Sequence, residues 1–145
     1  ACPHCRTANK EIRKVLEAEN DLRVNIHEFP ILGPESESAA RYALAILDIS
    51  GPEDYASVHE SLFATGRPVT EASLKSDAES RGLSWDEVRE AMMSENVSRH
   101  LSESRSMADI IGILGTPFIV IGNTAVPGTV SSEVMMQILR DGSGL

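Results

Sequence analysis

Apolar residues recur at helical spacing along most of the chain. Near the start, one face of a helix predicted over residues 3–19 carries apolar side chains at positions 8, 12, 15 and 16. The same periodicity, together with capping residues and helix-ending glycines, predicts further helices. They cover about residues 38–49, a segment beginning at Pro52, residues 70–82, a segment beginning at Ser84 with Glu87 as its capping-box partner, residues 95–111, and a last helix capped by Ser131 or Ser132.

Three short segments have the composition of β-strands instead. Residues 22–29 alternate loosely between apolar and polar side chains and end at Pro30, which predicts a strand. Residues 118–121 are rich in β-branched and aromatic side chains, and a Gly-Asn turn after them predicts a hairpin to a second strand at residues 125–126. The predicted order is therefore helix, strand, a group of helices, two hairpin-linked strands and a helix.

Length, composition and charge exclude several classes of protein. The 145 residues are the size of one ordinary domain, and 41% hydrophobic with 24% charged residues is typical of a globular chain. A net charge of −9 argues against a nucleic-acid partner, because phosphate binding requires a basic face, and against docking on anionic lipid. No apolar run reaches the roughly 18 residues that a membrane-spanning helix needs, so no membrane insertion is predicted.

The chain contains two cysteines, Cys2 and Cys5, three positions apart. A structural disulfide stabilises mainly by closing a long loop, so a bond over this short interval contributes little. Two cysteines also fall short of a four-ligand zinc site, and His27, His59 and His100 are scattered as surface or core histidines would be. No metal site is predicted, and the alternative is a cysteine pair that holds copper(I) or zinc with a histidine.

The Cys-Pro-His-Cys segment at residues 2–5 is the strongest chemical signal in the chain. Thiol–disulfide exchange requires a thiolate, and a helix N-terminus with its unpaired N–H groups lowers a cysteine pKa to about 3.5–7.5. Cys2 is predicted at that position, with Pro3 in the first helical turn, where its missing N–H has no partner. Cys5, one turn on, can resolve a mixed disulfide. His4, as a cation or N–H donor, stabilises the Cys2 thiolate and makes the disulfide a stronger oxidant.

Three motifs in this order resemble one protein family. The Cys-Pro-His-Cys segment matches the active site of DsbA-like thiol–disulfide oxidoreductases, including the Pro-His dipeptide of the oxidising members. Residues 112–122 (GILGTPFIVIG) resemble the cis-proline segment of these and related thioredoxin-fold proteins. Residues 28–34 followed by residues 38–41 resemble the bacterial branch described as 27-kDa outer-membrane-protein-like or ScsC-like. The resemblance covers essentially the whole chain.

The resemblance implies an α/β protein with a thioredoxin fold and an all-helical insertion between its βαβ and ββα halves. The thioredoxin-like core is expected to comprise residues 1–35 and 112–145, and the inserted helical subdomain residues 36–111. The first strand of the fold is expected before residue 1 and is absent from this chain. Family members are exported, so the expected location is the periplasm or cell envelope, with the signal peptide outside this chain.

The resemblance also assigns the chemistry. Cys2 is expected to be the attacking sulfur and Cys5 the resolving one, with Pro3 and His4 between them. No cofactor is expected beyond the redox-active Cys2–Cys5 disulfide. The expected substrates are cysteine-containing proteins, and a membrane redox partner protein is expected to reoxidise the dithiol.

Thr116 and Pro117 are the expected substrate-binding residues. In the family the proline at this position is cis and faces the cysteines, which leaves the amide and carbonyl of Thr116 free to pair with an extended substrate strand. Without the resemblance, an ordinary turn into a strand is the alternative. The Pro-His dipeptide favours an oxidase that donates disulfides to exported proteins. A threonine before this proline, as in Thr116, is similar to the isomerase, reductase and ScsC-like branches. The preferred function is therefore an oxidase, and a ScsC-type isomerase or reductase is the alternative.

Overall fold

A computed structural model describes residues 2–64 and 68–142. Over these ranges the backbone forms seven helices and a two-stranded sheet. The chain divides into two compact units, one of residues 27–112 and one of residues 2–26 with 113–142. Neither described range contains a helix long and apolar enough to cross a lipid bilayer.

Regular structure accounts for most of the described chain. One helix comes first, five helices follow, and a hairpin and a last helix come at the end. The elements are α1 (Pro3–Ala18), α2 (Pro34–Ser50), α3 (Pro52–Ala64), α4 (Glu71–Ser80), α5 (Trp85–Met92), α6 (Glu95–Ile111), β1 (Phe118–Ile121), β2 (Thr124–Pro127) and α7 (Ser132–Gly142). In the hairpin, β1 and β2 pair antiparallel, with Ile119 opposite Val126.

Local capping signals fix most helix ends, and the helix predictions are largely confirmed. α6 has the predicted bounds, and its N-cap Ser94 accepts a hydrogen bond from Val97 N at 3.2 Å. α2 begins at Pro34 rather than near residue 38, because Gly33 at a φ of 94° turns the chain and Pro34 suits the first helical position. Ser84 is the N-cap residue of α5, but within the described chain its side chain makes no capping hydrogen bond, so the predicted capping box is wrong.

The strand predicted over residues 22–29 is wrong. These residues form neither helix nor strand, and the sheet of the described chain contains β1 and β2 alone. A strand is stabilised by backbone hydrogen bonds to a neighbour, and no described segment supplies that neighbour here. Val24 and Ile26 are accordingly exposed. The alternation of apolar and polar side chains thus indicated an extended segment, but it did not determine whether that segment hydrogen-bonds to another strand.

In the unit of residues 27–112, α2 is the central helix and packs against α3, α5 and α6. Tyr42 and Ile46 of α2 are fully buried, together with Val58 of α3 and Val88 of α5. The Tyr42 hydroxyl donates a hydrogen bond to Asp77 Oδ2 at 2.6 Å, so the only polar atom of this buried ring has a partner. The unit therefore has its own apolar core.

A second polar group in this unit involves a histidine. Glu28 accepts a hydrogen bond from the Tyr55 hydroxyl at 2.8 Å, and its carboxylate lies 3.1 Å from His59 Nδ1. The His59 ring packs on Phe63 with ring centroids 4.8 Å apart. His59 is thus a largely buried histidine with a partner, which agrees with its interpretation as a structural residue.

In the unit of residues 2–26 and 113–142, α1 packs against α7, and α7 packs against β1. Ala8 and Val15 of α1 are buried, as are Val126 of β2 and Met135 of α7. The apolar face predicted for α1 therefore contributes to this small core. The first turn of α1 and the segment before β1 both belong to this unit, and together they contain every residue predicted for the site.

Candidate active site

Cys2 is the N-cap residue of α1. Its backbone is extended, with φ −61° and ψ 123°, and Pro3 occupies the start of the helix, where its fixed φ fits and its missing N–H is not needed. Cys2 Sγ accepts a hydrogen bond from Cys5 N at 3.5 Å, so the sulfur takes the place of the oxygen of a usual capping residue. The sequence therefore places the Cys2 sulfur at the positive end of the helix dipole.

The segment before β1 contacts the same sulfur. The Cys2 thiol donates a hydrogen bond to the carbonyl oxygen of Thr116 at 3.7 Å, and the Thr116–Pro117 peptide bond is cis. The Pro117 carbonyl accepts a hydrogen bond from Gly128 N at 2.9 Å, which ties this segment to the chain that follows β2. Within the described residues, Thr116 N has no hydrogen-bond partner. Both cysteines and Thr116 thus form one compact group.

The pKa of Cys2 lies below the ordinary cysteine value of 9.0. Burial by itself raises this pKa, but hydrogen bonds to the sulfur from Cys5, from the backbone of His4 and from the Thr116 side chain outweigh burial. More of the sulfur is therefore thiolate at neutral pH. The thiolate is the form that attacks disulfides, and a low pKa makes a sulfur a good leaving group.

Cys5 has the opposite character. Burial raises the pKa of Cys5 to about 11; the Thr116 side chain opposes this shift and the neighbouring Cys2 adds to it. Cys5 is therefore a protonated thiol at neutral pH, and in this structure both cysteines are free. This difference suits a dithiol in which Cys2 reacts first and Cys5 keeps its proton until a mixed disulfide has formed.

The two residues between the cysteines are exposed. The backbone N–H of His4 contributes to lowering the Cys2 pKa, and the His4 carbonyl accepts a hydrogen bond from Thr129 Oγ1 at 3.1 Å. In the described chain the His4 imidazole makes no hydrogen bond to the sulfur of Cys2. The predicted effect of the imidazole on the thiolate stays a prediction.

Two residues that support the active-site helix were missed by sequence analysis. Glu11 accepts a hydrogen bond from Lys14 Nζ at 2.6 Å and another from Ser132 N at 2.9 Å, and these partners hold its pKa below the usual range. Glu11 thereby caps the first turn of α7 from α1, while Thr129 holds the carbonyl of His4. Their partners lie 121 and 125 positions away in the sequence, so no local pattern indicated either contact.

For a metal ion, Cys2 and Cys5 are the thiolate ligands that this site could supply. Within residues 2–64 and 68–142, no group of three or more His, Cys, Asp or Glu side chains is arranged to hold one ion. Two thiolates supply half of the four ligands that a closed zinc site uses. A metal bound at Cys2 and Cys5 would therefore need further ligands from another molecule or from solvent.

Comparison with known proteins gives matches over nearly the whole chain. A family model described as DSBA-like thioredoxin domain matches residues 1–140. A thioredoxin-like oxidoreductase from Silicibacter pomeroyi DSS-3 superposes with a TM-score of 0.91 at 28% identity, over 99% of this chain and 82% of that one. The thiol-disulfide exchange protein alpha-DsbA2 from Wolbachia pipientis gives 0.89 at 22% identity, over 98% and 76%. Proteus mirabilis ScsC in a compact conformation gives 0.84 at 23% identity, over 99% and 78%. No curated protein matches the chain.

These matches confirm the predicted fold class. The chain has a thioredoxin-like fold in which helices predominate, and over the described residues its sheet has two strands. The core of residues 1–35 and 112–145, with an insertion of residues 36–111, stays a prediction. The site supports chemistry between two sulfurs of unequal acidity beside a backbone N–H of Thr116 that has no partner among residues 2–64 and 68–142.

Proposed function

The chain belongs to the DSBA-like thioredoxin domain family, a family of protein disulfide oxidoreductases, and on that premise we propose that it exchanges disulfides with cysteine-containing proteins through Cys2 and Cys5. The observation that carries this proposal is the Cys2 sulfur, which caps α1, has a lowered pKa and contacts the Thr116 backbone. The preferred direction is oxidation of two substrate thiols to a disulfide, a transfer of two electrons.

In this direction the reaction begins from the Cys2–Cys5 disulfide. A substrate thiolate attacks Cys2 Sγ, the bond between the two enzyme sulfurs breaks, and the Cys5 sulfur leaves with the bonding electron pair and takes up a proton. The high pKa of Cys5, about 11, favours this proton uptake at neutral pH. The product is a mixed disulfide between the substrate and Cys2.

The second step releases the oxidised substrate. A second substrate thiolate attacks the substrate sulfur of the mixed disulfide, and Cys2 leaves as a thiolate. The lowered pKa of Cys2 makes it a good leaving group. The substrate now has a disulfide and the enzyme holds the two electrons as a dithiol. For another turnover, we propose that a membrane redox partner protein with its own disulfide accepts these electrons.

The backbone of Thr116 is the proposed docking point for the substrate chain. Thr116 N has no partner among the described residues, and the Thr116 carbonyl accepts a hydrogen bond from the Cys2 thiol. In the Cys2–Cys5 disulfide and in the mixed disulfide Cys2 has no thiol proton to donate, so this carbonyl is available as well. An extended segment can then hydrogen-bond to both backbone groups, and such pairing tolerates many substrate sequences because it uses main-chain atoms.

The periplasm or cell envelope is the proposed location. A donor of disulfides functions where disulfides persist, and the cytosol keeps most thiols reduced. The test measures the oxidation state of Cys2 and Cys5 in cells that make the protein. Acid is added to stop thiol exchange, and the free thiols are then alkylated and counted. A disulfide in the envelope fraction supports the proposal, and recovery of the protein from the cytosolic fraction contradicts it.

The reduction potential decides between oxidase and reductase. The purified protein is equilibrated with glutathione buffers of defined ratio and its free thiols are counted. A potential well above that of the glutathione couple is expected, because a stabilised Cys2 thiolate favours the reduced enzyme. A potential as low as that of thioredoxin would identify an electron donor, a reductase, instead.

Substitution of the attacking sulfur tests the reaction itself. Cys2→Ser is expected to abolish oxidation of a reduced two-cysteine protein, since without Cys2 Sγ the enzyme has no disulfide for the substrate thiolate to attack. Full activity of Cys2→Ser would contradict the proposal. Tight stoichiometric binding of copper(I) by the wild type, without exchange activity, would support the metal-binding alternative.

A further inference from the structure

Leu114 is an exposed apolar side chain two positions before Thr116. It is 96% exposed, more than any other large hydrophobic side chain in the described part of the molecule. Gly115 alone separates it from Thr116, whose carbonyl oxygen is 3.7 Å from Cys2 Sγ. An exposed leucine gains free energy when a partner removes its surface from water, so this position favours an apolar contact.

The chain geometry keeps the backbone of Leu114 close to Thr116. Two residues of fully extended chain span at most about 7 Å, which limits the distance between the Cα atoms of Leu114 and Thr116. The intervening Gly115 leaves the approach open, because a Cβ atom added there would have no other atom within 4 Å. A polypeptide that is bonded to Cys2 and paired with the Thr116 backbone would therefore lie within two residues of Leu114 along this segment.

We propose that Leu114 is a specificity-determining residue, which contacts an apolar side chain near the reacting cysteine of a polypeptide substrate. The inference rests on the proposed function and extends it, because backbone pairing at Thr116 does not distinguish one substrate sequence from another. Leu114 adds a preference for apolar residues flanking the cysteine. A small thiol such as glutathione has no such flank and does not use this contact.

The test compares two reduced two-cysteine peptides as substrates of the oxidised full chain. One peptide has leucine at the two positions on each side of the first cysteine, and the other has serine there. The wild type is expected to oxidise the leucine peptide with a kcat/KM about tenfold higher, the discrimination typical of a small apolar contact. Leu114→Ser is expected to remove most of this ratio by slowing the leucine peptide alone.

Two controls separate specificity from damage. Leu32→Ser, at a leucine that is 58% exposed in the other unit, is expected to leave the ratio unchanged. The rate with reduced glutathione is expected to be the same in Leu114→Ser and in the wild type. The inference is overturned if Leu114→Ser keeps the wild-type ratio, or if it slows both peptides and glutathione equally. Failure of the wild type to oxidise any of the three thiols would overturn the proposed function and this inference with it.

Discussion

The Cys2 thiol donates a hydrogen bond to the carbonyl oxygen of Thr116 at 3.7 Å, across 114 positions of the sequence. The Thr116 side chain acts on the same sulfur and helps to lower the Cys2 pKa. One residue therefore influences the acidity of the attacking sulfur and offers the backbone groups that we assign to the substrate. Changes at Thr116 are expected to alter both properties.

Alkylation of the reduced protein should distinguish the two cysteines by pH. The Cys2 pKa is lowered from 9.0 and the Cys5 pKa is raised to about 11. Iodoacetamide reacts with the thiolate, so Cys2 is expected to be modified first, and the pH dependence of its alkylation rate should have a midpoint below pH 9.0. Cys5 is expected to react only in strong alkali. Peptide mass spectrometry at a series of pH values measures both. Equal rates at neutral pH would contradict the assignment of roles.

Thr116→Val is expected to raise the Cys2 pKa. The substitution keeps the shape of the side chain and removes the hydroxyl that hydrogen-bonds to the sulfur. Alkylation of Cys2 at neutral pH should become slower and its midpoint should move upward. The matched control is Thr124→Val on β2, where the same change affects an exposed threonine. A midpoint that does not move in Thr116→Val would show that the hydrogen bonds from Cys5 and from the His4 backbone set this pKa without the Thr116 hydroxyl.

The apolar core of α2 should be sensitive to loss of volume. Ile46→Ala removes a fully buried side chain and is expected to lower the free energy of unfolding by about 2–5 kcal/mol. Ile49→Ala makes the same change three positions on, where the side chain is 40% exposed, and is expected to cost about 1 kcal/mol or less. Urea unfolding followed by circular dichroism measures both, and equal losses would contradict the placement of Ile46 in the core.

Tyr42→Phe is expected to lower the free energy of unfolding by about 1–2 kcal/mol, because it removes a hydrogen bond to the partly exposed carboxylate of Asp77. Burial alone would raise the Asp77 pKa, but hydrogen bonds from Arg81 and Tyr42 lower it below 3.8. A carboxyl with a lowered pKa stabilises the fold above its unfolded pKa, and this contribution is lost as pH falls through the folded value. The loss of unfolding free energy in Tyr42→Phe should therefore become smaller when urea unfolding is measured below pH 3.8. A loss that does not change with pH would contradict this.

The sequence predicted well what depends on neighbouring residues. The helix starts predicted at residue 95 and at Pro52 are confirmed, because capping and proline geometry act within one turn. The group of Cys2, Pro3 and Cys5 was predictable for the same reason, since all three lie in the first turn of α1.

Features that depend on distant partners were not predictable. The alternation in residues 22–29 carried no information about whether another segment would pair with it, so the strand prediction failed. The capping of α7 by Glu11 and the hydrogen bond from Thr129 to His4 join residues more than one hundred positions apart. The place of Thr116 beside Cys2 came from a family resemblance, because no local pattern in either segment indicates it.

Trapping of a mixed disulfide tests the central claim most directly. Cys5→Ser keeps the attacking sulfur and removes the resolving one, so after attack on a peptide disulfide it should remain bonded to one peptide sulfur. Mass spectrometry is expected to find one peptide per Cys5→Ser molecule, attached at Cys2, and no adduct on Cys2→Ser under the same neutral conditions. An adduct that forms on Cys5 of Cys2→Ser as fast, or no adduct on Cys5→Ser, would contradict the assignment of Cys2 as the attacking sulfur.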